Sequence, residues 1–270
     1  MTARLDAAVA ARGLARSRTH AAQLIDAGLV SVDGAAVVKA SARVADDAVI
    51  SVAASDHYVS RAAHKLIAGL DGFGIDVSGR TALDMGASTG GFTQVLRERG
   101  AHPVIAVDVG HGQLAAQIAA DPGVVAVEGF NVRYMTAESL ADASGVTAAP
   151  SVITGDLSFI SLTHVLPAVV AVAAPDTDIV LLIKPQFEVG RTGVKEGLVT
   201  DPARRADAVA GVLWAAWDAR LGTRGLIDSP IAGTHGNAEF VVWLRPQRDD
   251  VRAGNPTEWL STVNRLAGAP

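Results

Sequence analysis

Four charged residues, two lysines and two acids, fall where apolar runs or a predicted helix begin or end. Lys65 lies on a helix predicted within 57–66. Asp156 and Lys184 each end an apolar run, and Glu239 begins another. Each of them alone is readily explained as a solvated strand end or a surface ion pair. Strand-end residues at one edge of an open α/β sheet meet in the same crevice, however, so these side chains can lie together. Such ammonium and carboxylate groups can orient a hydroxyl group and manage its proton.

A turn of small residues, Gly86-Ala-Ser-Thr-Gly90-Gly91, follows the apolar run that ends at Asp84. It lacks the Gly-x-Gly-x-x-Gly spacing that admits a pyrophosphate. The pattern Asp84-x-Gly86-x-x-x-Gly90 is typical of S-adenosylmethionine (SAM) binding, in which the acid can face the cationic amino end of the ligand. Asp108 closes the next apolar run, where an acid meets a ribose diol. The alternative is a turn that only lets a helix pack closely on a strand.

The elements that position these residues follow from short apolar runs separated by helical lengths, a pattern typical of a parallel sheet covered on both faces. The predicted fold class is therefore α/β, with a Rossmann-like, doubly wound sheet. Its seven strands are predicted at 82–84, 104–108, 124–128, 152–156, 179–184, 225–229 and 239–244. A helix within 57–66, capped by Ser60, leads into the sheet, and another short helix is expected around 257–266.

The composition permits two domains and a large buried core in 270 residues. There is no cysteine, which excludes disulfides and thiolate zinc sites. We expect no metal site either, because no metal-ligand spacing occurs among His57, His64, His111, His164 and His235. No apolar stretch reaches the length of a membrane span, about 18 residues, and no signal-peptide core is present, which predicts a cytoplasmic protein without stable membrane association.

The net charge of −5 is unevenly distributed, because residues 1–43 carry six lysines and arginines but only three acids. Apolar positions in this segment predict two short helices that end at Gly13 and Gly28, followed by a hairpin over 29–38. With Arg4-Leu-Asp6, Ser17-Arg18 and Leu24-Ile25, the segment resembles the S-four-type (S4) RNA-binding domain. The candidates for phosphate contacts are Arg4, Arg12, Arg16, Arg18 and Lys39. A helical cap with an incidental basic face is the alternative.

Six stretches carry a further resemblance: Val59-Ser-Arg-Ala-Ala-His-Lys-Leu66, Leu83-Asp-Met-Gly-Ala-Ser-Thr-Gly-Gly-Phe-Thr93, Ala106-Val-Asp-Val-Gly-His-Gly-Gln-Leu114, Asp156-Leu-Ser-Phe-Ile-Ser161, Lys184-Pro-Gln-Phe-Glu188 and Gly236-Asn-Ala-Glu239. Residues 57–245 resemble the FtsJ/RrmJ-like 2′-O-ribose methyltransferases. With the S4-type segment, the chain resembles the TlyA (haemolysin A) family of rRNA methyltransferases. The resemblance implies SAM as cofactor, 2′-O-methylation of cytidines in 16S and 23S rRNA, and rRNA or ribosomal subunits as partners, with no obligatory protein partner.

The expected site follows from these stretches. Lys184 approaches the 2′-oxygen, either as a base, if burial and Lys65 favour its neutral form, or as an electrostatic positioner. Asp156 and Glu239 fix the geometry. Phe159 either lines the entry for a flipped nucleotide or packs against the protein. The expected cofactor contacts are Asp84, Gly86, Ser88, Gly90, Phe92, Asp108, Asn131 and Asp156.

The expected organisation is an RNA-binding domain at 1–56, a linker at 57–60, a methyltransferase domain at 61–246 and a tail at 247–270. In the linker, family members carry Arg-x-Trp-Val where this chain has Asp56-His-Tyr-Val59. Two other functions stay open at this point. One is a membrane-active haemolysin, and the other is a non-catalytic RNA-binding protein that senses SAM.

Overall fold

The computed structural model describes residues 2–15, 17–26, 28–52, 57–190, 197–233, 236–247 and 254–270. Its contacts divide the chain into two compact units. The first is Met1–Arg61 with Thr234–Gly236, and the second is Ala62–Gly233 with Asn237–Pro270. The first unit is a small α+β structure and the second is a large α/β structure.

Two helices and short antiparallel strands form the first unit. Its elements are β1 (Thr2–Arg4), α1 (Leu5–Ala11), α2 (Arg18–Asp26), β2 (Val30–Val32), β3 (Ala35–Ala36), β4 (Arg43–Ala45) and β5 (Ile50–Val52). β1 pairs with β4, and β2 pairs with both β3 and β5. The predicted helices and hairpin are present. β1, β4 and β5 were not predicted, because a three-residue strand is too short to show alternation.

A seven-stranded sheet forms the centre of the second unit. Its strands are β6 (Ala82–Met85), β7 (Val104–Val107), β8 (Val124–Val127), β9 (Val152–Gly155), β10 (Asp178–Ile183), β11 (Leu221–Asp228) and β12 (Phe240–Pro246). Their order in the sheet is β11-β12-β10-β9-β6-β7-β8. Every residue of β6, β7, β9 and β10 is buried, as expected for strands covered on both faces. The predicted α/β fold with seven strands is confirmed.

The predicted parallel pairing is confirmed for the first five strands of the sheet, and the last strand runs the other way. β6 to β10 pair in parallel, whereas β12 runs antiparallel to both of its neighbours, β10 and β11. An apolar run does not reveal the direction of a strand, so the sequence could not show this. β11 also begins at Leu221, earlier than predicted, because polar residues and a β-bulge between Thr223 and Gly225 interrupt its apolar pattern.

The helices of the second unit lie between the strands in sequence and cover the sheet. They are α3 (Ala63–Phe73), α4 (Gly91–Glu98), α5 (Ala116–Ala119), α6 (Ala137–Ser144), α7 (Leu166–Val172), α8 (Pro185–Glu188), α9 (Pro202–Asp218) and α10 (Leu260–Ala267). The described part of this unit also contains 3-10 helices at Val132–Tyr134, Leu162–His164 and Pro256–Trp259.

Both faces of the sheet are packed, which fixes its edges in place. On one face, Gly69 of α3 lies against Val180 and Val241. On the other face, α7, α9 and α10 contribute to the main apolar core. The predicted cap of the helix that leads into the sheet is wrong: α3 begins at Ala63, and its N-cap residue, Ala62, makes no side-chain capping bond.

Candidate active site

The four charged residues singled out in the sequence lie together at one edge of the sheet. Lys65 Nζ lies 2.6 Å from Glu239 Oε2 and 3.5 Å from Asp156 Oδ2. Lys184 Nζ lies 2.6 Å from Asp156 Oδ1. The four side chains therefore form a continuous chain of alternating charge, Glu239–Lys65–Asp156–Lys184, which we call the charged tetrad.

The sheet topology explains why these four residues meet. Asp156 follows β9 and Lys184 follows β10, two neighbouring parallel strands. Glu239 precedes β12, and because β12 is antiparallel to β10, Phe240 pairs with Ile183 at the same edge. The fourth member, Lys65, is supplied from the first turns of α3. The antiparallel last strand is thus the element that brings Glu239 to the site.

Burial makes each member of the tetrad depend on the others. Lys65, Lys184 and Glu239 are only 6%, 8% and 5% exposed. Removing one partner from a buried ion pair leaves an uncompensated charge and costs about 3 to 5 kcal/mol. The space around Glu239 is also restricted, since a side chain at Gly233 would collide with the Glu239 carboxylate. The tetrad is therefore held by both charge and sterics.

Ser158 is a member of this site that the sequence interpretation missed. Lys184 Nζ donates a hydrogen bond of 3.0 Å to Ser158 Oγ. The Lys184 nitrogen is thus held from two directions, by Asp156 and by Ser158. The signal that could have found it was its place in the Asp156-Leu-Ser-Phe stretch, two residues after an acid already selected.

A cavity of about 520 Å³ opens beside the tetrad. Asp156 belongs to its wall, so one carboxylate borders both the charged tetrad and the cavity. The wall includes five of the predicted cofactor residues, namely Gly86, Ser88, Asp108, Asn131 and Asp156, and it continues through Val109, Phe130, Ser158 and Phe159.

The glycine turn and Asp108 form one hydrogen-bonded wall of the cavity. Asp108 Oδ2 accepts a 2.8 Å hydrogen bond from the Ser88 N–H, and Oδ1 accepts one of 2.8 Å from the Gly110 N–H. These bonds fix the carboxylate at the end of β7. Gly86 has a φ of +78°, and a Cβ there would lie 3.0 Å from Leu157. Glycine is therefore needed at this position, both for its backbone conformation and for space.

Three of the predicted cofactor residues are not part of this wall. Asp84 is only 1% exposed. Its carboxylate accepts hydrogen bonds from Thr93 Oγ1 at 2.6 Å and from Thr154 Oγ1 at 3.2 Å. Phe92 is buried in α4, and Gly90 caps α4 in the left-handed conformation. Asp84 therefore braces the turn from beneath, and this geometry does not by itself support the predicted contact with the ligand's amino group.

Burial also changes the protonation of Asp84. Desolvation raises the pKa of its carboxyl group to about 6, although the bonds from Thr93 and Thr154 oppose the shift. The nearby charge of Asp156 adds to the increase. Asp84 is therefore a buried acid that titrates near neutral pH, directly below the glycine turn.

The basic residues of the first unit have different surroundings. Arg4 and Arg18 both bind Asp6, at 2.9 and 3.2 Å. The hydrogen bond from Arg4 is the main reason that the pKa of Asp6 is lowered.

Arg12 donates to the backbone carbonyls of Ala48 and Asp46, at 2.5 and 2.8 Å. These bonds hold the backbone of the first unit, which is a structural role. They do not support the predicted contact of Arg12 with an RNA phosphate. Lys39 is exposed, and Arg16 lies outside the described residues.

Phe159 stands out at the mouth of the cavity. Its side chain is 93% exposed, and its backbone has a φ of +64°, a conformation that few residues with a side chain adopt. Its ring lies 5.3 Å from the ring of Phe187, measured between centroids. Of the two expectations for Phe159, packing is limited to this contact with Phe187, and the role at the entry for a flipped nucleotide stays a prediction.

Within the described ranges, no helix is long and apolar enough to cross a membrane. The same residues contain no group of three or more histidine, cysteine or acidic side chains arranged to hold a metal ion.

Comparison with known proteins places this geometry in context. Residues 58–246 match the FtsJ-like methyltransferase family, and residues 3–50 match the S4 domain. A 16S/23S rRNA (cytidine-2′-O)-methyltransferase, TlyA, of Mycobacterium tuberculosis is 48% identical over 250 residues, which cover 92% of this chain and 91% of that protein. Hemolysin A of Brachyspira hyodysenteriae is 38% identical over 240 residues, 88% of this chain and 98% of that protein.

A solved structure has the same arrangement of elements along nearly the whole chain. The putative hemolysin from Streptococcus thermophilus superposes with a TM-score of 0.76 at 33% sequence identity. The match covers 99% of this chain and 96% of that one.

Proposed function

Because the chain belongs to the FtsJ-like methyltransferase family, we propose that it transfers the methyl group of SAM to the 2′-oxygen of cytidine in ribosomal RNA. The observation that carries the proposal is the position of Asp156, which belongs both to the charged tetrad and to the wall of the cavity. A methyl donor in the cavity and an acceptor oxygen beside Lys184 would meet at this carboxylate.

The residues around the cavity fit SAM. Asp108 offers carboxylate oxygens at the end of a parallel strand, the position at which a ribose diol is bound in this class of fold. Gly86 and Ser88 bring the backbone close, and Val109 and Phe130 add apolar surface suited to an adenine ring. When bound, SAM supplies a methyl group already activated by a sulfonium.

The tetrad would act on the acceptor. The 2′-hydroxyl loses its proton as its oxygen takes the methyl group, so a group beside the oxygen has to accept or share that proton. Asp156 and Ser158 hold the Lys184 nitrogen from two sides, which leaves one direction for the acceptor oxygen. Lys65 and Glu239 hold Asp156 in turn. We assign Lys184 to the 2′-oxygen and the other three to its orientation.

Phe159 supports a nucleic-acid acceptor. A phenyl ring exposed to this degree at the cavity mouth offers a stacking face for an unpaired base, worth about 1 to 3 kcal/mol per base. Methyl transfer to a ribose within structured RNA requires the nucleotide to leave its stack. We propose that Phe159 receives the base of that nucleotide, while the S4 domain supplies contacts to the RNA backbone through residues such as Lys39.

The test is methyl transfer by the purified full-length chain. Ribosomal subunits and free rRNA, prepared from cells that lack the gene, are incubated with methyl-labelled SAM, and the nucleosides are separated after digestion. We expect label in 2′-O-methylcytidine with the parent and none with Lys184→Ala. A parent that binds SAM but labels no nucleoside would identify a non-catalytic SAM sensor, and label on a base would contradict the ribose assignment.

A further inference from the structure

Glu188 joins two loops that flank the charged tetrad. It ends α8, four residues after Lys184. Glu188 Oε1 accepts a 2.9 Å hydrogen bond from the backbone N–H of Leu162, and Oε2 accepts one of 2.5 Å from Ser161 Oγ. The segment that follows β10 is therefore hydrogen-bonded to the far end of the segment that follows β9.

Lys184 holds the near end of the segment that follows β9. Its nitrogen contacts Asp156 Oδ1 and Ser158 Oγ, at 2.6 and 3.0 Å. Residues 156–162, which we call the acceptor loop, are therefore held at both ends by the short stretch 184–188. Phe159 lies between the two attachments, and its ring contacts Phe187 of α8.

The attachment at Glu188 is made at an energetic cost. Desolvation raises the pKa of its carboxyl group, against the hydrogen bonds from Leu162 and Ser161 and the charge of His164. An acid that is even partly buried, as Glu188 is, is unfavourable compared with an apolar side chain of similar size. Its two acceptor oxygens match one backbone N–H and one hydroxyl of the acceptor loop, which an apolar side chain could not do.

We propose that Glu188 is a positioning residue for methyl transfer: it holds the acceptor loop so that Ser158 orients Lys184 and Phe159 stands at the cavity mouth. The inference rests on the proposed function of the tetrad. It does not place Glu188 in contact with RNA or SAM, because neither the cavity wall nor the tetrad includes it. Because the acceptor loop also lines part of the cavity, Glu188 should act mainly on turnover and RNA use and only weakly on cofactor affinity.

Three substitutions at Glu188 distinguish the effect of its hydrogen bonds from the effects of its charge and of its side-chain length. Glu188→Ala removes both bonds, and Glu188→Asp shortens the reach while keeping the charge. Glu188→Gln keeps the length and can still accept from the Leu162 N–H while donating to Ser161 Oγ. We expect Ala and Asp to lower kcat by about 10- to 100-fold, the effect of displacing a reacting group by about 1 Å. Gln should stay near the parent.

The experiment combines steady-state methylation of ribosomal subunits with calorimetry of SAM binding and hydrogen exchange of the full chain. In the Ala variant, amide exchange should accelerate at Leu162 and in the acceptor loop, while the Kd for SAM should rise by a much smaller factor than kcat falls. Ser161→Ala serves if Glu188→Ala fails to fold. It removes one of the two bonds to Glu188, together with the contacts of Ser161 Oγ to Thr163, and it should give a smaller loss of kcat.

Unchanged kcat in the Ala and Asp variants would overturn the proposal, as would a Gln variant as impaired as Ala. Unchanged hydrogen exchange in the acceptor loop would overturn it independently of activity. A parent that does not methylate RNA would refute the proposed function, while the exchange measurement would still show whether Glu188 holds the loop.

Discussion

Lys65 Nζ donates a 2.6 Å hydrogen bond to Glu239 Oε2 across a sequence separation of 174 residues. Lys65 lies in the first helix of the second unit and Glu239 lies beside its last strand, so this one contact joins these two elements at the charged tetrad. Lys65 also reaches Asp156. A change at Lys65 or Glu239 should therefore alter how Asp156 and Lys184 are held.

Replacing Lys184 with alanine should abolish methyl transfer while SAM affinity stays nearly unchanged. We assign Lys184 to the acceptor side of the proposed site, and Asp156 keeps a cationic partner in Lys65. The measurement is labelled-methyl transfer beside calorimetry of SAM binding. Near-normal turnover would remove Lys184 from the acceptor site, and a matched loss of SAM binding would place it with the cofactor.

Replacing Asp108 with alanine should weaken SAM binding by about 1 to 3 kcal/mol, the usual effect of removing one partner of a desolvated polar contact. The substitution should also loosen the turn at Ser88, because Asp108 accepts a hydrogen bond from the Ser88 N–H. Calorimetry gives the dissociation constant directly. Asp142→Ala, at an exposed position of α6, is the matched control and should bind as the parent does. Equal affinities in the two variants would contradict the ribose assignment.

Replacing Asp84 with asparagine should stabilise the protein increasingly as pH rises from about 4 to about 7. The folded pKa of about 6 lies above the ordinary value of 3.8. The stabilising contribution of the protonated acid is therefore complete below the unfolded pKa and lost as pH rises through the folded one. The variant's free energy of unfolding, relative to the parent, should rise by about 2 to 3 kcal/mol over this window.

Urea denaturation at several pH values measures this difference, and calorimetry at neutral pH supplies the second readout. SAM affinity should change little, because Asp84 braces the turn and is not part of the cavity wall. A pH-independent difference would show that burial does not shift this acid. A large loss of affinity in a stable variant would restore the direct contact expected from the sequence.

Two basic residues of the first unit should respond in opposite ways. Lys39→Ala should weaken binding to ribosomal RNA and reduce the slope of log affinity against log salt by about one unit, as for a lost phosphate contact. Arg12→Ala should instead lower the stability of the first unit, since Arg12 holds the carbonyls of Ala48 and Asp46. Binding titrations over a salt series and thermal unfolding would separate the two. An Arg12 variant with a reduced salt slope and unchanged stability would reverse this assignment.

The sequence predicted the sheet and the tetrad because both depend on apolar runs and on what stands at their ends. Asp156 and Lys184 could be placed at one edge as soon as their strands were recognised. The bracing role of Asp84 could not be predicted, since it depends on Thr154 of a neighbouring strand. The structural role of Arg12 was hidden for a similar reason: its partners are backbone carbonyls, which carry no side-chain signal.

Ser158 and Glu188 show a second limit. Both stand in stretches that the sequence singled out, yet their importance lies in contacts between two loops that follow different strands. Residue types alone do not show which loops face each other. The charged residues of the tetrad could therefore be predicted from the sequence. Ser158 and Glu188, which hold the tetrad and its loop in place, could not.

The position of β12 has a consequence for biosynthesis. The last strand of the sheet lies between β10 and β11, so β11 has no partner in the sheet until β12 has left the ribosome. The same segment brings Glu239, without which Lys65 lacks its closest counter-charge. A nascent chain that stops before this segment has an incomplete sheet and an incomplete tetrad. Under the proposed role of the tetrad, methyl transfer can begin only after this segment has been translated.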